Sequence, residues 1–491
     1  MRSGPSLTGR ICLALGLTVL FYALALGIVA FCAAVVIDDL FLTRRLRIRA
    51  DIALAMAGGA ILWALVPRKD TFEAPGPKLK IEDHPRLEAE IKKVAEAAGQ
   101  PMPEDVYLLD AVNAFVSERG GRLGFGGRRV LGIGLPLLQL CTIEQFRAVL
   151  AHEFGHFVGS DTLLGTFLYR TRTAIGRTVY SLGKSGSPVK WIFIGYGKLF
   201  LRITHAVSRA QEFSADAFSA QVTSPRIAAE ALRKVIPYDA VYMRYWTQEV
   251  VPVLQAGRIP PIHEGLEIFC KSMDGLEILE HAESGATTAK ADPYDTHPPL
   301  RERVEALGQR MEGAFAEGVS ADTLLEGAAS FQQTLLAAAI GPEKVSQLRP
   351  IDWDHVFAEI SVPAQKAMLQ NYRGQLAGIT PRNLLQHVQR LAMRNGRVVR
   401  VPDGQPVSQA EMVEAFHVVW PSILVLFHDR CADPKCGVGA PFTVSLPNGE
   451  RAAPLIELRS AVGELKPPEH WVSFCERAGV ADVDLGSVVA G

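Results

Sequence analysis

TIEQFRAVLAHEFGH, residues 142–156, is the stretch on which the reading of this chain turns. Thr142 followed three positions later by Gln145 is a capping box, so a helix begins here. Phe146, Val149 and Leu150 carry the helical spacing on to His152, Glu153 and His156. Residues four apart share one face of a helix, so the two imidazoles can hold one Zn2+ between them. Glu153 is displaced round the helix. Its carboxylate can act on a water beside the metal without ligating it.

A catalytic zinc needs a third protein ligand and one open position. Position 159 is Gly but 162 is Thr, where a longer form of the motif would place a third histidine, so the ligand comes from another segment. The best segment is SRAQEFSAD, residues 208–216, which sets Glu212 and Asp216 four apart on one helix face. One carboxylate can ligate while the other fixes the orientation of a ligating histidine. His205, seven residues before Glu212, shares that face and is a rival ligand.

Upstream, Pro85–Ala98 reads as a helix and Glu73–Lys80 as a linker. Val106–Leu109, Ala114–Ser117 and Val130–Ile133 read as strands. The glycines between 120 and 127 join two strands, so they form a hairpin turn and not a phosphate cradle. Further upstream, Ile11–Ile37 is free of charge. A helix of that length spans about 40 Å, more than the ~30 Å hydrocarbon core, and is too long for a cleaved leader. Ile52–Val66 is a shorter apolar run, expected either as a second span whose flanking charges can snorkel or as a buried or re-entrant helix. Thr162–Gly183 and Trp191–Val207 are apolar too, but Arg170, Arg172, Arg177, Lys198 and Arg202 interrupt them. They are expected to dock on the protein or lie on the membrane surface, not to span.

The 491 residues carry 51 Lys and Arg against 52 Asp and Glu, a net charge of −1. That balance gives no global basic field and argues against nucleic acid as the main partner. Seven scattered cysteines make no disulfide framework. His428, Cys431, Cys436 and Cys475 match no standard zinc knuckle and read as ordinary thiols and a histidine.

Four blocks in order resemble the HtpX-like and CAAX-prenyl-protease zinc metallopeptidases. They are NAF at 113–115, AVLAHEFGH at 148–156, SRAQEFSAD at 208–216 and THPPLRER at 296–303. The resemblance covers roughly Asn113 to Leu307. It implies His152, His156 and Glu212 as zinc ligands and Glu153 as the base. It implies that the strand around Asn113, Ala114 and Phe115 pairs with an extended substrate. It also implies that His297 and Arg303 approach the substrate carbonyl, where either could stabilise developing negative charge.

The expected architecture is mainly α with a small β-sheet (α+β), of gluzincin type. It has a membrane segment over 1–70, a zinc metallopeptidase domain over 71–310 and a mostly helical accessory domain over 311–491. In the last, Ala321–Ile340, Val362–Leu376, Arg382–Arg394 and Ser408–Trp420 read as helices. Phe442–Leu446 reads as a β element, and Asp403-Gly404 and Asn448-Gly449 as turns. The expected function is zinc-dependent endoproteolysis, with one zinc per chain and a membrane-associated or unfolded polypeptide as substrate. The bilayer is the other partner, with the catalytic domain on the cytoplasmic side of the cell inner membrane. A membrane-tethered zinc scaffold acting through its C-terminal domain is the alternative; the intact Glu153 argues against it.

Overall fold

The computed structural model describes residues 7–43, 47–66, 73–119, 128–158, 161–184, 186–289, 297–388, 390–402, 405–463 and 467–488. The chain opens with α1 (Leu7–Ile37) and α2 (Ile48–Leu65), then β1 (Lys78–Leu79), α3 (Pro85–Ala97) and β2 (Asp105–Leu109). β3 (Ala114–Arg119), β4 (Arg128–Gly134), α4 (Leu135–Leu140) and α5 (Ile143–Gly155) follow. Next come α6 (Asp161–Lys184), α7 (Lys190–Val222) and α8 (Pro225–Tyr245). The molecule is mainly helical with small sheets, as the sequence predicts. The glycine turn expected at 120–127 and the Asp403-Gly404 turn lie outside the described residues.

α1 and α2 are long and apolar enough to cross a bilayer. A third helix, Gln409–Arg430, passes the same test of length and composition. Its surroundings decide otherwise. Val418, Val419, Ile423, Val425, Leu426 and Phe427 are buried against Leu391, Leu458, Trp471 and Phe474. This helix is the centre of a protein core, whereas only 17% and 28% of the apolar windows in the first two are buried.

Behind the anchors, α6 and the first half of α7 pack on α1 and α2. Phe21, Ala25, Ala57 and Ile61 meet Ala174, Ile175, Leu182, Phe193 and Phe200 in one apolar cluster. The Tyr196 hydroxyl donates to the Leu17 carbonyl. Among the described residues, neither α6 nor α7 qualifies as a span. Docking on the protein is the first of the two dispositions expected for these segments.

The main sheet has the order β1-β2-β4-β3. β2 runs parallel to β4 and β3 runs antiparallel to it, with Phe115 opposite Gly132. β3 is therefore an edge strand. Lys78 and Leu79, read from sequence as linker, are instead the opposite edge, paired with Tyr107 and Val106. Alternation is invisible in a two-residue strand, so the sequence could not reveal it.

Two compact units divide the contacts, and they interleave along the chain: Met1–Ala240 with His281–Ile340, and Val241–Glu280 with Gly341–Gly491. This differs from a linear division at residue 310. Residues 311–340 join the first unit because Val319 and Ala321 bracket the start of α5. Ile143 donates to the Val319 carbonyl at 2.9 Å, and Ala321 donates to the Cys141 carbonyl at 2.8 Å. Residues 241–280 join the second because Arg258-Ile259 pairs in parallel with Arg349-Pro350. Trp353 also donates to the Pro261 carbonyl at 3.0 Å.

In the second unit, the helix expected over Arg382–Arg394 ends at Val388. Leu391–Arg394 is a strand, hairpinned to Arg397–Arg400. Asn395 and Gly396 turn it with φ of 51° and 71°, the left-handed pair that a tight hairpin turn requires. The expected helix at 321–340 is confined to Phe331–Ile340, after a left-handed Gly327 at φ 70°. Thr443–Ser445 is the central strand of a three-stranded sheet.

Candidate active site

α5 starts where its sequence says. The Thr142 hydroxyl accepts from the Gln145 N–H at 3.2 Å, and the Gln145 side chain accepts from the Thr142 N–H at 3.1 Å. Gln145 is wholly buried and also donates to Glu230 on α8 at 3.2 Å. The helix buries Phe146, Ala148, Leu150, Ala151 and Phe154. That leaves His152, Glu153 and His156 on its partly open side.

α7 crosses α5 at unusually close range. A Cβ on Gly155 would stand 3.0 Å from the Ala215 Cα, so only glycine permits this approach without displacement. One turn on, the Ser219 hydroxyl donates to the Ala148 carbonyl at 2.7 Å. The crossing brings Glu212 and Asp216 to the two histidines. His152 Nε2 lies 3.5 Å from Glu212 Oε2, and His156 Nε2 lies 3.7 Å from Glu212 Oε1. The imidazoles stand edge to face with centroids 4.8 Å apart.

The helix Leu300–Ala306 supplies the next layer. Arg303 is buried and forks onto Asp216, with Nε to Oδ2 at 2.8 Å and Nη2 to Oδ1 at 2.7 Å. Its Nη1 reaches Glu212 Oε2 at 3.2 Å. Asp216 Oδ1 also meets His152 Nδ1 at 2.9 Å. A carboxylate there accepts the Nδ1 proton and leaves Nε2 to face Glu212. His297, at the mouth, is 62% exposed and lies 3.6 Å from Glu212 Oε1.

The sheet edge closes the other side. The Asn113 carbonyl accepts from the Gly134 N–H, so Asn113, Phe115 and Ser117 turn their backbone groups toward β4. Ala114 and Val116 turn theirs outward. The Val116 N–H is given to the Glu153 carboxylate.

Among the described residues, His152, His156 and Glu212 form the group that can hold a metal, their donor atoms all within 4.8 Å of one another. His205 is buried in α7 and lies outside that group. Two imidazoles and a carboxylate suit zinc, and they leave coordination positions open.

Residues 82–311 match the model of Peptidase family M48. The chain is similar to that family over 230 of its 491 residues. A Protease HtpX homolog of Desulfatibacillum aliphaticivorans is 27% identical over 238 residues, 44% of this chain and 66% of the relative. Protease HtpX of Mannheimia succiniciproducens is 26% identical over 272 residues, 51% of this chain and 83% of the relative. That of Idiomarina loihiensis is 24% identical over 281 residues, 52% and 85% respectively. With α1 and α2, these matches support a resemblance to the HtpX-like membrane metallopeptidases.

Charge in the site is set by burial and close pairing. Burial works against a charged His152, but hydrogen bonds to Asp216 and Glu212 outweigh it and raise the imidazole to about 9. Burial and the neighbouring His152 push His156 down to about 4. Burial lifts Glu153 to about 7, helped by the Glu212 charge. Asp216 resists burial through its bonds to Arg303 and His152 and falls to about 2.

Three of these features were beyond the sequence reading: the Gly155–Ala215 approach, the Ser219 bond and the Val116 N–H on Glu153. The first two leave a trace in the sequence. Gly155 sits inside the motif, and Ser219, seven residues after Glu212, shares its helix face.

Proposed function

We propose that the chain is a membrane-anchored zinc metalloendopeptidase in which His152, His156 and Glu212 hold one zinc. The observation that carries the reading is the convergence of these three donors beside a carboxylate, Glu153, that does not join them. Bound there, zinc would acidify water and polarise a peptide carbonyl. Glu153 takes the proton from the attacking water and returns it to the leaving amine. The Val116 N–H orients that carboxylate. An extended substrate pairs with the free edge of β3 through Ala114, whose N–H and C=O point outward, with Asn113 and Phe115 framing it.

His297 faces the developing oxyanion in this reading, which its exposure and its position beside Glu212 support. Arg303 is read differently from the expectation the resemblance raised. Its guanidinium is buried and engaged by two carboxylates, so it is a positioning residue for Glu212 and Asp216, not a contact to substrate. Asp216 in turn orients His152. Asp216→Asn is expected to weaken zinc binding by about 10–100-fold, read by competition with a chromogenic chelator.

Membrane-associated or unfolded polypeptides are the substrates, as suits a role in membrane-protein quality control. The catalytic side is the cytoplasmic face of the cell inner membrane. Mapping by mass spectrometry of the fragments from unfolded casein tests the endopeptidase reading. Zinc-dependent internal cuts are expected. Trimming from chain ends alone, or no zinc-dependent cuts, would overturn it.

A further inference from the structure

Between Thr162 and Gln211 the chain carries eight Lys and Arg and no Asp or Glu, within a protein whose net charge is −1. This run coincides with α6 and the first two thirds of α7. Their inner faces are spent on α1 and α2, where Ala174, Ile175, Leu182, Phe193 and Phe200 are buried. The outer faces are basic and aromatic. Arg172, Lys184, Lys198 and Arg202 are exposed. Tyr180 and Trp191 are exposed too, at 64% and 66%.

The two rings sit near the turn that joins the helices, and each has a lysine over it. Lys184 Nζ is 4.9 Å from the Tyr180 ring centroid, and Lys190 Nζ is 5.3 Å from that of Trp191. Ile192 and Leu199 add exposed apolar surface beside them. Such a face suits neither neighbouring phase. In hydrocarbon the charges would lack partners, and in water the rings and aliphatic groups would stay exposed. At the headgroup layer the rings sit among the glycerol groups while the ammonium and guanidinium groups reach phosphate. The hairpin packs directly on the two membrane spans, so the bilayer is the surface it meets.

We propose that the outer face of the α6–α7 hairpin binds anionic phospholipid headgroups, through Lys184, Lys190, Lys198 and Arg202 with Tyr180 and Trp191 as interfacial anchors. The inference rests on α1 and α2 being the membrane spans. The absence of any acidic residue between Thr162 and Gln211 selects anionic over zwitterionic lipid, because no group on that stretch repels the extra negative charge.

The test uses the full chain in nanodiscs of phosphatidylcholine alone or mixed with phosphatidylglycerol. A water-soluble amine-acetylating reagent reads each lysine. Adding phosphatidylglycerol should lower the reactivity of Lys184, Lys190 and Lys198 by about threefold or more, and high salt should reverse this. Lys92, exposed on α3, serves as the reference and should not change. Equal reactivity in the two lipids would overturn the proposal. So would low reactivity in both, which would mean that the hairpin spans the bilayer.

A triple Lys184→Gln, Lys190→Gln, Lys198→Gln variant should lose co-purifying phosphatidylglycerol, and the matching Lys→Arg triple should keep it. Retention in the glutamine variant would also contradict the proposal. Extraction at alkaline pH reads the anchor separately. A protein that stays in the membrane yet shows no lipid dependence would sink this inference alone.

Discussion

Glu153→Gln is expected to keep about one zinc per chain and to lose casein cleavage by about 10²–10⁴-fold. The amide matches the carboxylate in shape and can still accept the Val116 N–H, so the site should keep its form. What disappears is the group that accepts a proton from water. In the metal-free site burial raises the Glu153 carboxyl to about 7. The loss should fall on kcat, with KM little changed, because the proton moves only as the transition state is reached. Equal cleavage by the variant and the wild type would remove Glu153 from the mechanism. Loss of zinc together with activity would make it a ligand.

Glu212→Gln is the second large effect, this time on the metal. Apparent binding free energies of ~10–16 kcal/mol, shared among four ligands, average ~2.5–4 kcal/mol for each. Losing one should therefore weaken zinc by about 10²–10³-fold. His156→Ala should do the same. The metal-free site also predicts a proton balance. His152 titrates at about 9, so at pH 7 it carries a proton that zinc must displace. Zinc uptake at pH 7 should release about one proton, and zinc affinity should fall as pH is lowered. Calorimetry in buffers of different ionisation enthalpy measures that release. Full zinc retention in Glu212→Gln and His156→Ala would refute the ligand assignment.

The site was legible where local chemistry leaves a mark on the sequence. A capping box, a four-residue histidine spacing and a four-residue Glu/Asp spacing each need only one helix to be meaningful. Thr142, His152, His156, Glu212 and Asp216 stand close to where those spacings put them. Arg303 was placed in the site but with a different neighbour. Spacing says that an arginine follows a stiff His297-Pro298-Pro299 turn, but not that its fork is filled by Asp216. That pairing depends on where α7 crosses α5, which Gly155 and Ser219 set.

Elsewhere, the sequence reading failed where two signals competed. Arg382–Arg394 looks helical by composition, yet Asn395-Gly396 is a hairpin signal that turns its last four residues into a strand. The helix read at Ser408–Trp420 was in place but runs on to Arg430; it is apolar enough for a membrane, and its neighbours in the folded core set it apart from a span. The two interleaved units could not be read from the sequence, since the bonds that place 311–340 beside α5 are backbone bonds without side-chain signature.

The measurement closest to the central claim is a zinc titration of the chelator-stripped full chain, with casein cleavage and bound metal followed together. Cleavage should be absent without metal, rise in proportion to zinc bound, and level off at about one zinc per chain. A chain that binds its zinc at His152, His156 and Glu212 and still leaves casein intact, or one that cleaves equally well when stripped, would contradict the account.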